Sequence, residues 1–593
     1  MDLLRSLVGG DSGLWSSTST AAVGLADALK LPNSVVDYLF SETHCYQSIR
    51  THSASEPNAN CFTVSPSGTF SKVFREADAS TWAKKSHQGH VIPGLWDGHG
   101  HLLQYGEFLN SVDLFGSKSF DEIIVRVDQY LDAHPDAGNA DNWLRGTGWD
   151  QAAFGRMPIA DDLSSDERLK DLYIMLDRVD VHCIWVSQPI LDLLPSELPD
   201  VPGGEIIRKP GLGVFCDNAM DMVMAIWPKP DNKKKQKFLR SAMSKLNEVG
   251  LVGMADAGVS PGNAALFKEL AGTKDWTLRV YAMLECDERN TFCPETAQKH
   301  VRDDGFLSIQ SVKLFADGAL GSWGSAMIEP YSDRPDTSGS LLINGTQLAH
   351  VTKLWAEAGF QVNIHAIGDL ANRYAIDAMT GALEAVCPGE PLASCQARRR
   401  FRIEHAQIIH PDDQARLHAA GIIPSIQPTH ATSDMAYAEA RLGPARTAAE
   451  AYRMRSLLDA HPILGSDFPV EPPDPFQGMY AALTRRSPHT GRGTADQPDG
   501  WHAGETLSLD QALRGFTEAP ARGAFLDGKA GVIQDGAFAD WVVLDRPLEE
   551  TDVEDLRSYR VRETWVAGKR VYQRDGGDTE AVEDASGTIT DEL

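Results

Sequence analysis

Cysteine is scarce in this sequence, with eight in 593 residues and no two spaced as CxxC. That spacing leaves no thiol-based metal or redox motif to read, and sparse, scattered cysteines fit a reducing compartment. Long apolar runs are absent as well. No stretch of about 18 apolar residues occurs, so no membrane-spanning helix is expected. The first thirty residues lack the basic stretch followed by a continuous apolar core that marks a secretory leader. The C-terminal Thr590-Asp591-Glu592-Leu593 resembles an ER-retrieval tail, and Asn344-Gly345-Thr346 is a glycosylation sequon. Without a leader both read as coincidence, and the expected location is cytoplasmic. Basic residues are outweighed, 55 Lys and Arg against 83 Asp and Glu, for a net charge of −28. Nucleic acid and membrane are therefore not expected as partners.

What is present is an ordinary globular composition, 42% hydrophobic and 23% charged, on a chain long enough to bury a large core. From residue 91 a pattern recurs: a short apolar run ending in polar residues, then a helical or mixed segment. The runs are VIPGLWDGHGH (91–101), LVGMADAG (251–258), LRVYAMLEC (278–286), SVKLFADG (311–318), QVNIHAIGD (361–369), FRIEHAQ (401–407), IIPSIQPTH (422–430) and PILGSDFP (462–469). Helices are expected at 371–386, from apolar spacing, and at 411–420, which has Pro411 in its first turn. Eight near-continuously apolar strands alternating with helices predict an α/β fold, a (β/α)8 TIM barrel. A long insertion after the first strand, roughly 104–248, predicts a subdomain over the barrel mouth. Short β-rich pieces before 91 and after about 526 are expected to pair as a small β-sandwich built from both chain ends. The division expected is an unassigned extension over 1–35, the N-terminal half of the sandwich over 36–90, the barrel over 91–525, the C-terminal half of the sandwich over 526–573 and an acidic, disordered tail over 574–593.

In such barrels the active site lies at the C-terminal ends of the strands. Those ends here carry His99 and His101, Asp256, Lys313 and Asp317, His365 and Asp369, Glu404 and His405, His430, and Asp467. His99 and His101, two apart on a strand, point to the same side, as metal ligands must; HxH alone also suits a solvated loop pair. Neutral imidazoles suit Zn²⁺ and related ions, and a carboxylate can complete such a site. Lys313 fits only with a neutral amine, most usefully carboxylated by CO2 to a bridging carbamate; its alternative is an ordinary charged lysine paired with Asp317. Glu404, preceding His405 on its strand, is expected to face the other way and serve the structure.

The motifs PGLWDGHGH, SVKLFADGALGS, NIHAIGDLAN, RIEHAQ, SIQPTH and GSDFPVEPPDP, in this order, resemble the amidohydrolase superfamily, and within it amidohydrolase family 3, which includes N-substituted formamide deformylase. The resemblance spans roughly 91–573. It departs after DGALGS, where Trp323-Gly324 replaces the Arg-Thr common in the family. By that resemblance His99 and His101 hold a first metal and His365 and His405 a second. Lys313 matches a carboxylated lysine bridging the two, and Asp467 an aspartate that ligates metal and shuttles a proton. Zinc is the expected ion, one or two per chain, with manganese or iron as alternatives. A bound metal lowers the pKa of water from 15.7 to about 7. The function implied is hydrolysis of a non-peptide C–N bond, in an amide, N-substituted formamide or carbamate, by attack of that hydroxide. Asp467 would return the proton to the departing amine and His430 would donate to the oxyanion. In the insertion, Trp149, Asp150 and His182 are candidates to contact substrate, together with Asp317; for Trp149 the competing reading is core packing, and for Asp317 and Asp369 the orientation of ligands. The partner expected is a small amide-like molecule, and a homodimer is allowed. The rival readings are a non-catalytic regulatory or scaffold barrel and another reaction at the same metal site, ester hydrolysis or decarboxylation.

Overall fold

The eight apolar runs form eight parallel strands, in chain order around one sheet: β1 (Leu95–Gly100), β2 (Leu251–Val259), β3 (Arg279–Leu284), β4 (Leu307–Phe315), β5 (Gln361–Ala366), β6 (Arg402–His405), β7 (Ile423–Ile426) and β8 (Ile463–Leu464). The computed structural model describes residues 41–76 and 84–574. The extension expected over 1–35 and the acidic tail beyond Arg574 lie outside the described residues. β8 returns to β1, where the Asp467 amide donates to the His99 carbonyl at 2.7 Å and the His101 amide to that of Phe468 at 2.9 Å. The strands are buried on both faces, as parallel strands under a layer of helices must be.

The helices read from spacing are there. Asp369–Val386 turns Ala371, Ala375, Ile376, Met379 and Leu383 inward, and Pro411–Ala420 starts on Pro411 and stops at Gly421, whose φ of 72° suits a residue without a Cβ. The fold is the expected (β/α)8 barrel with a long insertion after the first strand and a sandwich from both chain ends.

The run beginning at Val91 is two strands rather than one. His90–Pro93 pairs with Trp541–Leu544 in the sandwich, and the barrel begins only at Leu95. The break falls at Gly94, where a Cβ would meet Val252 Cγ2 at 2.4 Å, so only glycine lets the chain cross from sheet to barrel. The sandwich stacks two sheets, one holding His90–Pro93, Trp541–Leu544 and Glu563–Val566, the other Cys61–Val64 and Phe70–Phe74. Phe62, Phe70, Val91, Trp541 and Val543 fill the space between them.

A buried ion pair ties sandwich to barrel. Arg279, opening β3, donates through Nε to Asp540 Oδ2 at 2.5 Å and through Nη2 to Oδ1 at 2.9 Å, and Asp540 also accepts the Ala567 amide. Removing one partner of a buried pair strands the other charge, at a cost of about 3–5 kcal/mol. Asp540→Ala is expected to lose about that much stability in denaturant titration, and an unchanged midpoint would show that the pair does not clamp the two units.

The segment between β1 and β2 builds its own six-stranded sheet, ordered Gly204–Ile207, Val214–Asp217, Cys183–Val186, Ile174–Arg178, Leu144–Trp149 and Val112–Asp113. It has its own apolar cores.

All eight cysteines are paired, Cys45 with Cys61, Cys183 with Cys216, Cys286 with Cys293 and Cys387 with Cys395. This corrects the reading of scattered thiols in a reducing compartment. Disulfides persist where the environment is oxidising, so cysteine usage no longer argues for the cytoplasm. For two of the bridges, separation along the chain hid the pairing: Cys45 faces Cys61, and Cys183 faces Cys216, only after antiparallel strands bring them opposite one another. No helix among the described residues is long and apolar enough to cross a membrane.

Candidate metal centre

Seven side chains from six strand ends meet at the C-terminal mouth of the barrel. His99 ends β1 and His101 follows it; Lys313 is on β4, His365 on β5 and His405 on β6. His430 stands on the short helix Pro428–Asp434 after β7, and Asp467 follows β8. The ligand atoms of His99, His101 and Asp467 lie within 4.8 Å of one another, and so do those of His405, His430 and Asp467. Asp467 is shared, with Oδ1 3.1 Å from His101 Nε2 and Oδ2 3.8 Å from His430 Nε2. The His365 ring lies 4.4 Å from that of His405, and Lys313 Nζ lies 3.4 Å from His99 Nε2. His365 falls outside both compact groups, whereas His430, read as an oxyanion donor, falls inside one.

The donor chemistry fits a divalent ion. Asp467 Oδ1, His365 Nε2 and His430 Nε2 are buried with no hydrogen-bond partner, a costly state unless something else satisfies them. Burial pushes the His99 imidazole down to about 4, helped by the Lys313 charge, and drives His365 and His405 well below their ordinary range. Neutral rings with free lone pairs are what metal ligation requires. Burial alone would raise the Asp467 carboxyl, but the attraction it would exert on His99 and His405 as imidazolium ions and its hydrogen bond with His101 more than offset that and shift it downward. Burial also pushes the Lys313 ammonium down, toward the neutral amine.

Partners fix the rings. Glu404 Oε2 lies 2.5 Å from His99 Nδ1, and His405 Nδ1 lies 3.0 Å from Gln427 Oε1. His99 thus donates from Nδ1 and keeps Nε2, 3.4 Å from Asp467 Oδ1, for the cavity, the usual support of a ligating histidine, and Gln427 holds the His405 ring. Arg402, fully buried, braces Glu404 through Nε and Nη2, and with His99 holds its carboxyl at about 2 against the upward push of burial. Glu404 therefore does not face away from the site as alternation along β6 predicts. His405 has φ 72° and Ala406 φ 44°, which breaks the alternation and lets neighbouring side chains serve one cavity. Asp467 has φ 62°. Such backbone costs energy outside glycine and gathers at functional sites.

The insertion delivers one further pair. His182 Nδ1 lies 2.8 Å from Asp217 Oδ1, and the His182 ring is 5.7 Å from that of His365. The Cys183–Cys216 disulfide joins the residues beside them, and Val181 (φ 55°) and Asp217 (φ 50°) share the strained backbone of the centre. Burial would lower the His182 pKa, but the hydrogen bond and charge of Asp217 more than offset it, so the net shift is upward. Removing that carboxylate charge lowers the pKa. Asp217→Asn is expected to move the His182 titration to lower pH by NMR, and an unmoved titration would break the pairing.

The other candidate substrate contacts engage groups of the protein itself. Trp149 is in the insertion core, its Nε1 donating to the Leu176 carbonyl. Asp150 caps the short helix Gln151–Phe154 and lies 3.5 Å from Arg178. Asp317 spends its carboxylate on the amides of Ala326, Ile367 and Gly368, 3.6 Å from His365 Nε2, and Asp369 accepts the Ile328 amide. These two aspartates order loops around the centre. Sequence reading passed over Asp97, which accepts the His99 and Ser466 amides and the Ser466 hydroxyl and so joins β1 to β8, and over Gln427 and Asp217. Asp97 and Gln427 stood inside the motifs DGHGH and SIQPTH; Asp217 carried no signal.

A sequence profile described as the amidohydrolase family matches residues 87–572. The protein LONG AFTER FAR-RED 3 of Arabidopsis thaliana is 31% identical over 507 residues, which cover 81% of this chain and 82% of that protein. The N-substituted formamide deformylase of Arthrobacter pascens is 25% identical over 511 residues, covering 82% and 89%. The crystal structure of an uncharacterized metal-dependent hydrolase from Pyrococcus horikoshii superposes with a TM-score of 0.68 at 23% identity, covering 86% of this chain and 99% of the other.

Proposed function

The chain belongs to the amidohydrolase family, and on that premise we propose that it is a metal-dependent hydrolase of a non-peptide C–N bond, in an N-substituted formamide, another amide or a carbamate. The observation that carries the reading is the convergence of buried, neutral imidazoles and one ionised carboxylate, with three orphaned donor atoms, at the barrel mouth. His99, His101 and Asp467 would hold one ion, and His405 a second with His365 or His430. Zinc suits this donor set. Lys313, buried with its amine pushed toward neutrality, can add CO2 to give a carbamate and release a proton, which turns a repelling cation into an anionic ligand. An ion so held supplies polarisation of the scissile carbonyl and a lowered pKa for attacking water.

The chain's own residues do the rest. Asp467, ionised and reaching both ligand groups, accepts the proton of the attacking water and hands it to the nitrogen of the departing amine, which leaves poorly as an anion. Glu404, through His99, and Gln427, through His405, keep the rings aimed inward. His182, bonded to Asp217 through Nδ1, presents Nε2 toward the carbonyl oxygen, where the proton favoured by Asp217 stabilises developing negative charge. The insertion, standing over the mouth, limits access of bulk water.

Matched substrates test the reading. An N-substituted formamide and the ester of the same acyl group, incubated with zinc-loaded protein, should give amine and formate from the first at the greater kcat/KM. Turnover of the ester alone, or of neither, would remove C–N hydrolysis as the function.

A further inference from the structure

We propose that Asn344 carries an asparagine-linked glycan, on a chain that matures in an oxidising, membrane-enclosed compartment. Two independent observations meet here, and neither depends on the metal centre or its reaction. The first is the cysteine pairing. The sequence has eight cysteines, and every one has a partner, with none left free. Two bridges join residues that antiparallel strands place opposite one another, Cys45 with Cys61 and Cys183 with Cys216. The other two close short loops, at sequence separations of 7 and 8. The bridges lie in the sandwich, in the insertion, in the loop after β3 and between two barrel helices, so all three units of the fold are stapled. Eight unselected thiols spread over three structural units would not all meet a partner. A cytosolic thiol pool would keep them reduced, whereas an oxidising lumen maintains disulfides.

The second observation is the sequon. Asn344-Gly345-Thr346 is the one N-x-S/T triplet in the chain, and its middle residue is not proline. Asn344 and Thr346 are both exposed in the folded chain. Asn344 is the N-cap of the helix Gly345–Glu357, and its Oδ1 accepts the Gln347 amide at 2.9 Å. Its Nδ2 donates to Gln347 Oε1 at 2.7 Å. An asparagine amide has two N–H groups, so one can stay with Gln347 while the other is substituted. Oδ1 remains a carbonyl oxygen and the cap survives. The modification therefore needs no change in the fold.

The step is a transfer from a lipid-pyrophosphate-linked oligosaccharide. Asn344 Nδ2 bonds to the reducing-end sugar carbon, the bond from that carbon to the lipid pyrophosphate breaks, the pyrophosphate leaves with the electron pair, and the displaced amide proton passes to a base. Leu342, two residues before Asn344, donates its amide to the Ala316 carbonyl just beyond β4. The glycan would thus rise from the same rim of the barrel as the metal centre, outside it.

The test is mass spectrometry of the full chain purified from the cells that naturally make it, before and after peptide-N-glycosidase, with peptides mapped without reduction. The expected result is loss of the mass of one oligosaccharide, with aspartate appearing at position 344, and four cystine-linked peptide pairs matching those above. Thr346→Ala and Asn344→Asp should each abolish the mass loss. The first leaves the cap untouched and the second keeps its acceptor oxygen, so a folding defect would not mimic the result. Unmodified Asn344 overturns the assignment whether the cysteines are bridged or free, and freely alkylated cysteines overturn the oxidising compartment.

Discussion

Asp467→Asn should keep the fold and lower kcat at least 100-fold, with KM changed far less. Asparagine has the same shape, so the φ of 62° and the amide bond to the His99 carbonyl can persist. What is lost is the negative charge between two groups of imidazoles and the ability to take a proton. General acid–base groups contribute about 10²–10⁴-fold, which sets the expected size. Metal content must be measured on the same preparation, because Asp467 also belongs to both ligand groups. A variant that retains metal and loses rate places the loss in proton transfer. A near-wild-type rate would remove Asp467 from the mechanism.

His405→Ala should abolish both metal retention and turnover. The ring stands between His99, 4.8 Å away, and His365, 4.4 Å away, and faces Asp467 as well. Losing only a hydrogen-bonding partner of a ligand weakens metal binding by about 10–100-fold, so losing the ligand itself should exceed that range. The measurement is metal per chain by plasma mass spectrometry after dialysis, alongside kcat/KM. A small stability loss from the vacated space is expected too, so circular dichroism should accompany both. Full activity in this variant would sink the assignment of the centre, whereas metal retained without turnover would leave His405 a positioning role only.

The barrel was legible because its strands are buried on both faces, and unbroken apolar runs of the right length have few other solutions. The candidate ligands stood out for the same reason: they sit just where each apolar run ends, and parallel strands bring all such ends to one rim. The cut at Gly94 was not legible, because the apolar run continues through it and only the approach of Val252 and the Asp540 carbonyl reveals the crossing. Glu404 was assigned to the wrong side because alternation assumes regular backbone, and the positive φ at His405 ends that regularity one residue early. Trp149 lies in the insertion core, the core-packing reading its sequence context favoured, and Asp150 caps a short helix there, a role the motif did not show.

The sequence by itself thus determined the (β/α)8 architecture, the insertion, the two-ended sandwich and the polar residues at the strand ends, since all of these follow from periodicity and from residue type at fixed places in a repeat; the choice of ligands among those residues came from the family resemblance. Only the tertiary structure decided which groups meet across the chain: Glu404 with His99, His182 with Asp217, Arg279 with Asp540, and each cysteine with its partner. Apart from the two short loops closed by Cys286–Cys293 and Cys387–Cys395, these are long-range or cross-strand contacts, and none of their members carries a shared local pattern. Their geometry is set by how sheets and loops pack rather than by spacing along the chain.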